Sequence, residues 1–331
     1  MFKRPPFEIT ARILNSVQDI SLLLGKHLDN FQIHSNIRLR KSNNIRTIKS
    51  TVAIEGNSIS LEQVTDILNG EQIVAPEREI REVKNAISVY EKFNAFDAFR
   101  LNDLLNAHDI MMKGLTEESG KFRSTGVCIM KGNECMHLAP PPIEVSGLIS
   151  NLFSYLTESE DSLLIKSCVF HYELEFIHPF CDGNGRMGRL WQQLILAKLH
   201  PIFKLVCIEE LLEKFQSEYY AALQRSDQKG SSEDFVEFML GIIREALKRL
   251  NIKPSDKSNY KARLNYARNM LTDFKRSDYM EIFQEISTAT ASRDLANGVK
   301  SGILKKSLTN NQTMYTFTEE DIKKFNSSTI T

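Results

Sequence analysis

Residues 178–189 read His-Pro-Phe-Cys-Asp-Gly-Asn-Gly-Arg-Met-Gly-Arg, which puts a base, a carboxylate, three glycines and two arginines into twelve consecutive positions. Each residue type suits chemistry at a polyphosphate. His178 exchanges a proton near neutral pH. Asp182 offers hard oxygen ligands to a magnesium ion, which in turn binds nucleotide phosphates. Arg186 and Arg189 stand three apart, so on a helix they share a face and direct two fixed cations at one anion. Gly183 and Gly185 let the main chain approach that anion closely. The apolar spacing of Leu190, Trp191, Leu194 and Ile195 makes the next segment a helix, whose N-terminal amides and dipole attract phosphate. A lone GxG is weak; the whole combination in one stretch is not.

The elements that must position this segment are mainly helical. Apolar residues recur with helical period over Ile9, Ile13, Val17, Ile20 and Leu24, and a second helix is expected from about Leu39 to Ile54. Ser60 and Gln63 form a capping-box pattern ahead of Val64, Ile67 and Leu68, and Gly70 supplies a stop. Further stripes predict helices over Ile80–Phe93, Val145–Leu156, Leu163–Phe176, Leu211–Leu223 and Phe235–Leu247. Two short apolar runs around Lys131–Glu134, closed off by Pro140–Pro142, read as a β-hairpin over Val127–Leu138. Residues 251–260 are polar with a proline and read as a linker. Beyond them come helices over 261–274, 277–284 and from Thr288 to about Val299, then two short strands around Ile303 and over Thr313–Phe317. That order resembles a winged helix-turn-helix. The expected division is 1–75, 76–250, the linker 251–260, and 261–331.

The chain of 331 residues carries 42 basic and 42 acidic side chains, so no global charge draws it to nucleic acid or an anionic membrane. The first residues, MFKRPPFEIT, lack a hydrophobic signal core, and no run approaches the roughly 18 apolar residues of a membrane span. Cys128, Cys135, Cys168, Cys181 and Cys207 show no CxxC spacing, and five reduced thiols in a cytoplasmic protein are expected.

Every defined position of HPFx(D/E)GNGRxxR is matched by residues 178–189, and on these residues the chain resembles the Fic domain family. The resemblance implies a helical Fic fold with a β-hairpin flap. It also implies transfer of AMP from ATP, with Mg2+, to a Ser, Thr or Tyr hydroxyl of a protein, the enzyme itself included. The intact GNGR form, rather than the degenerate loop of the Doc-like kinases, favours nucleotidyl transfer. His178 would then take the hydroxyl proton and Asp182 would hold the metal. The amides of Gly183, Asn184 and Gly185 would cradle phosphate, Arg186 and Arg189 would hold the β and γ phosphates, and Gly188 completes the same helix start. Phe180 is expected to anchor the loop, and Cys181 fills a variable position. The hairpin corresponds to the flap, which aligns a target by strand addition, with Met136 and His137 near the nucleotide. Tyr219 and Tyr220 fall in a segment similar to one lining the nucleoside pocket. His171 and Glu175 have metal-like spacing without a third ligand, and His171 and His108 are expected to serve structure. The residues themselves do not separate ATP from other nucleoside triphosphates.

A second motif lies upstream. Thr51-Val-Ala-Ile-Glu55-Gly56-Asn57 matches the (S/T)xxxE(G/N) pattern of an inhibitory helix in many Fic proteins. Thr51 and Glu55 share a helix face, so Glu55 can bond Arg189 and occupy the γ-phosphate position. The opposite use of Glu55, positioning water to remove AMP from a target, stays open. So does a nucleotide-sensing transcription regulator acting through residues 261–331. Residues 253–331 hold 13 Lys or Arg against 9 Asp or Glu. Thr290, Ser292, Arg293, Asn297 and Lys300 are the polar residues a third helix would offer DNA, with Lys305 and Lys306 for phosphates. Protein binding or homodimerisation through this module is the alternative.

Overall fold

The computed structural model describes residues 2–28, 37–131, 134–250, 259–268, 271–309 and 312–318. Fourteen helices and five short strands lie among them. The chain divides into two compact units, residues 1–24 with 37–247, and residues 25–36 with 248–331. The expected linker 251–260 lies outside the described residues but for its last two positions.

In the first unit the centre is a pair of helices, α7 (Leu163–Ile177) and α8 (Asn184–Leu199). α7 has buried residues on every side, polar Lys166, Ser167 and His171 included, as a helix enclosed all round rather than along one stripe does. Ser162 caps its start, accepting from Ile165 N at 3.4 Å. Around this pair run α1 (Ala11–Leu28), α2 (Ile37–Ala53), α3 (Leu61–Leu68), α4 (Glu77–Glu91), α5 (Leu101–Met111), α6 (Pro142–Glu158), α9 (Ile208–Lys214), α10 (Gln216–Lys229) and α11 (Glu233–Arg249). Ser60 and Gln63 make the expected capping box at the start of α3. Trp191, fully buried, donates to Ala98 O at 2.9 Å and fastens α8 to the segment before α5. Strands β1 (Cys128–Lys131) and β2 (Glu134–Leu138) pair antiparallel as the expected hairpin, with an irregularity between Ile129 and Met130.

Three expectations need correction. The stripe over Leu211–Leu223 is two helices, α9 and α10, because Phe215 leaves helical geometry at ψ 37°, and Gln216 on the far side bonds Ile54 O at 2.8 Å. The helix expected over 261–274 is α12 (Tyr260–Arg268); Asp273–Phe274 is a strand, β3, paired with Thr316 and Tyr315. The thiols are not all reduced: Cys128 is disulfide-bonded, while Cys168, Cys181 and Cys207 are free.

In the second unit α12 and β3 are followed by α13 (Arg276–Ile282), α14 (Thr288–Lys300), β4 (Leu304–Thr309) and β5 (Gln312–Phe317), with strand order β3-β5-β4. Leu264, Phe274, Tyr279, Phe283, Leu295 and Leu304 form its core. Within it Arg263 Nε donates to Asp294 Oδ2 at 2.6 Å, and Tyr279 donates to the same carboxylate at 3.1 Å. A buried charge pair satisfied in this way fixes α14 against α12 and α13.

Candidate functional site

The chain leaves α7 at His178 in the left-handed region, φ 48° and ψ 59°, which no other non-glycine residue adopts among the described residues. Such a conformation costs about 1–3 kcal/mol and persists only where the surroundings enforce it. Arg123, buried in the loop before the hairpin, does so. Its Nε donates to His178 O at 2.7 Å, and its Nη2 donates to Pro140 O at 2.6 Å and Ile177 O at 3.3 Å. Arg123 N donates to Pro179 O at 2.9 Å. His178 Nδ1 lies 3.3 Å from Glu175 O, a group that only accepts, so the proton sits on Nδ1 and Nε2 keeps its lone pair. Burial, with neighbouring His137 and Arg123 adding to it, pushes the His178 pKa down to about 4. The ring is therefore neutral, with its lone pair on Nε2.

The turn after it is held from below. Phe180 is fully buried and stacks on His108 at 3.7 Å between ring centres. His108 Nδ1 accepts from Gly120 N at 2.9 Å, which leaves Nε2 to donate to Asp182 O at 2.9 Å. The Asn184 side chain closes the loop by accepting from Phe180 N at 3.0 Å and donating to Phe180 O at 2.9 Å. Gly183 is the N-cap of α8 at φ 87°, and a Cβ there would meet Met112 Sδ at 2.7 Å. Main-chain amides thus gather at the start of α8, although the Gly183 N–H already donates to Asp182 Oδ1 at 2.6 Å.

Asp182 takes two guanidinium groups, Arg186 at 3.1 Å on Oδ1 and Arg78 of α4 at 3.3 Å on Oδ2. Arg186 is buried, and its Nε has no hydrogen-bond partner. Among the described residues no group of three His, Cys, Asp or Glu side chains converges on a metal position. A half-exposed single carboxylate fits magnesium where substrate phosphates supply the remaining oxygens, which is the usual manner of that ion.

Thr51 and Glu55 meet Arg189. Arg189 Nε donates to Thr51 Oγ1 at 3.1 Å, and its Nη2 donates to Thr51 O at 3.0 Å and Glu55 Oε1 at 2.6 Å. α2 ends at Ala53, so Glu55 belongs to the hydrogen-bonded turn after it, and Gly56 closes that turn at φ 93°. Ile54 O accepts from Gln216 Nε2 at 2.8 Å and from Tyr220 at 3.4 Å, which ties this turn to α10. Burial alone would lower the Arg189 pKa; the Glu55 carboxylate overrides it and the pKa is raised. Glu175 stands nearby, its pKa pushed up to about 7 by burial and by Glu55.

A cavity of about 650 Å³ is lined by Glu55, His137, Glu175, His178, Asp182–Gly185, Arg189, Tyr219, Tyr220 and Asp227 among others, a size that suits a nucleotide. Tyr219 is buried and bonded to His171 at 3.0 Å and Glu175 at 3.2 Å, whereas Tyr220 is half exposed. His171 Nδ1 meets Gln192 at 2.6 Å, and the ring serves packing as expected. Not every expected residue reaches the cavity. Arg186 and Gly188 do not line it; a Cβ on Gly188 would meet His171 Cδ2 at 2.5 Å, so this glycine lets α8 lie against α7. The side chain of Met136 lies outside the described residues. Arg78, Glu175 and Asp227 were not singled out for the site from the sequence. Glu175 had a signal in its HxxxE spacing, read only for metal; Arg78 and Asp227 had none.

Residues 98–196 match the model of the Fic/DOC family. A Fic family protein from Desulfovibrio desulfuricans G20 is 34% identical, with a TM-score of 0.71 over 96% of this chain and 99% of that one. Among curated proteins, protein adenylyltransferase Fic of Culex quinquefasciatus is 30% identical over 61% of this chain and 40% of its own length. Protein adenylyltransferase fic-1 of Caenorhabditis elegans is 27% identical over 70% and 45%. The chain therefore spans less than half the length of these curated relatives. Among the described residues no helix is long and apolar enough to cross a membrane.

Proposed function

The chain belongs to the Fic family, and from that premise we propose that it is an autoinhibited protein adenylyltransferase, moving AMP from ATP to a Ser, Thr or Tyr hydroxyl of a protein, itself included. The observation that carries this reading is the His178 ring, bonded through Nδ1 so that Nε2 keeps its lone pair, lining a nucleotide-sized cavity beside the amides that open α8. His178 Nε2 takes the proton of the incoming hydroxyl, whose oxygen bonds to the α-phosphorus as the bond to the β-phosphate oxygen breaks and pyrophosphate leaves. A polyphosphate beside the ring raises the His178 pKa from its low value in the protein alone, which strengthens the base when substrate is in place. The Gly185 amide and Arg189 bind phosphate oxygens, and Arg186 orients Asp182. Asp182 would hold Mg2+, which supplies charge neutralisation for the departing pyrophosphate.

Autoinhibition rests on the 2.6 Å contact of Glu55 with Arg189, which takes the guanidinium that the γ phosphate needs. The test is incubation of wild type and Glu55→Gly with each nucleoside triphosphate labelled on the α-phosphate. Protein-bound label from ATP is the expected result, and none from any nucleotide with either protein would end the transferase reading.

For the C-terminal unit we infer a winged helix, supported by the order α12-β3-α13-α14-β4-β5. Arg293, Lys300, Lys305 and Lys306 are exposed on α14 and β4. If the unit binds duplex DNA, Arg293→Ala with Lys300→Ala weakens binding and flattens its salt dependence by about one to two units of slope. Absence of binding by the full chain at about 50 mM salt leaves protein binding or dimerisation as the use of this unit.

A further inference from the structure

His137 of β2 has both ring nitrogens against oxygen. Nε2 is 2.7 Å from Phe176 O and Nδ1 is 3.1 Å from Asp227 Oδ2. A carbonyl and a carboxylate oxygen only accept, and a neutral imidazole has one N–H; it would turn a lone pair on one of them. The doubly protonated ring alone satisfies both bonds. Asp227 is fixed in turn, since Tyr172 donates to its Oδ1 at 2.9 Å. The His137 side chain is only 9% exposed, so neither bond is readily replaced by water. Phe176 is two residues ahead of His178 on the same chain, and both histidines line the cavity. No ring nitrogen of His137 is left for a nucleotide.

We propose that His137 is a positioning residue: an imidazolium clasp that ties flap strand β2 to α7 and α10 and stands as a fixed cation beside the base His178. This rests on the transferase reading given above. The charged and titratable groups around the clasp are Tyr172, Glu173 and Glu175 of α7, Asp227 of α10, and His178. Burial lowers the His137 pKa, but the bonds to Asp227 and to the Phe176 carbonyl outweigh it, and the net direction is up. The clasp therefore persists to higher pH than an ordinary imidazolium would and is lost as pH rises through that raised value. His178 responds in the opposite sense: a cation beside it disfavours its protonation, so removing that cation raises its pKa.

The test has an arm that needs no turnover. In the unliganded protein carrying ¹⁵N-labelled histidine, His137 should show both nitrogens protonated at pH 7, and in Asp227→Asn only one. In His137→Gln the His178 titration midpoint should move to higher pH. In the Glu55→Gly background, His137→Gln should lower AMP transfer about tenfold, within what misplacement of a reacting group costs, and shift the acid limb of its pH profile upward. A merely structural histidine lowers the rate without moving that limb. A His137 nitrogen unprotonated at pH 7 in the otherwise intact protein would overturn the proposal, and so would an unmoved His178 midpoint. Since both are read without transfer, loss of the transferase reading alone leaves them measurable.

Discussion

Replacing His178 with alanine should lower the proposed AMP transfer by about 10² to 10⁴, the usual cost of losing a general base. ATP affinity should stay within a few-fold, because the base acts on the target hydroxyl and makes no bond to phosphate. The position complicates the substitution: φ is 48°, and alanine tolerates the left-handed region poorly. Asparagine visits that region readily and cannot act as a base at neutral pH. His178→Asn should match His178→Ala in lost transfer while melting closer to wild type. Label incorporation, nucleotide affinity and melting temperature measured on both variants separate lost chemistry from a displaced turn. Retained transfer in His178→Asn would exclude the mechanism.

Glu55→Gly should raise transfer, self-modification included, on the order of tenfold or more, for a charge-assisted bond worth about 1.5 to 3 kcal/mol. The substitution removes an obstacle and no catalytic group. Arg189 then loses the acceptor that holds it at 2.6 Å and becomes available to phosphate. In the double variant with Arg189→Ala the gain should vanish, since the cation being released is gone; non-additivity of this kind is what coupled partners show. The removal reaction predicts the reverse on an AMP-modified substrate, with Glu55→Gly inactive for want of a carboxylate to place water. Wild type as active in transfer as Glu55→Gly would leave the Glu55–Arg189 pair without an inhibitory role.

Much of this was legible in the sequence where the information is local. The segment 178–189 is contiguous, so its turn and helix start follow from its own glycines and apolar spacing; the four-residue spacing of Thr51 and Glu55 pointed to a shared partner, although Glu55 lies in the turn just past the end of α2. What was not legible depends on contacts across long stretches of chain. Arg123 acts on His178 from 55 residues away, and a single arginine in a loop carries no mark of the carbonyls it will meet. Asp227 finds His137 only because α10 and the hairpin pack together. The two-residue strand β3 is too short for alternation to show and exists through pairing with β5 some forty residues later. Phe215 interrupts an otherwise continuous apolar stripe for a tertiary reason, the bond of Gln216 to the turn that carries Glu55.

Gly185 bears on how such a protein can change by mutation. A Cβ there would stand 2.5 Å from Glu55 Oε1, 3.0 Å from Arg189 Nη1 and 3.3 Å from Glu175 Oε1. Any side chain large enough to expel Glu55 from the signature side would fill the space that a phosphate has to enter. Substitutions that free the proposed activity without filling that space are therefore sought in α2 and its closing turn, and among the residues that hold this turn from α4 and α10, such as Glu79 and Gln216. A route to a constitutively active lineage runs through α2 and its closing turn, which carry none of the residues 178–189, so restraint can be tuned or lost there while the chemistry is inherited intact.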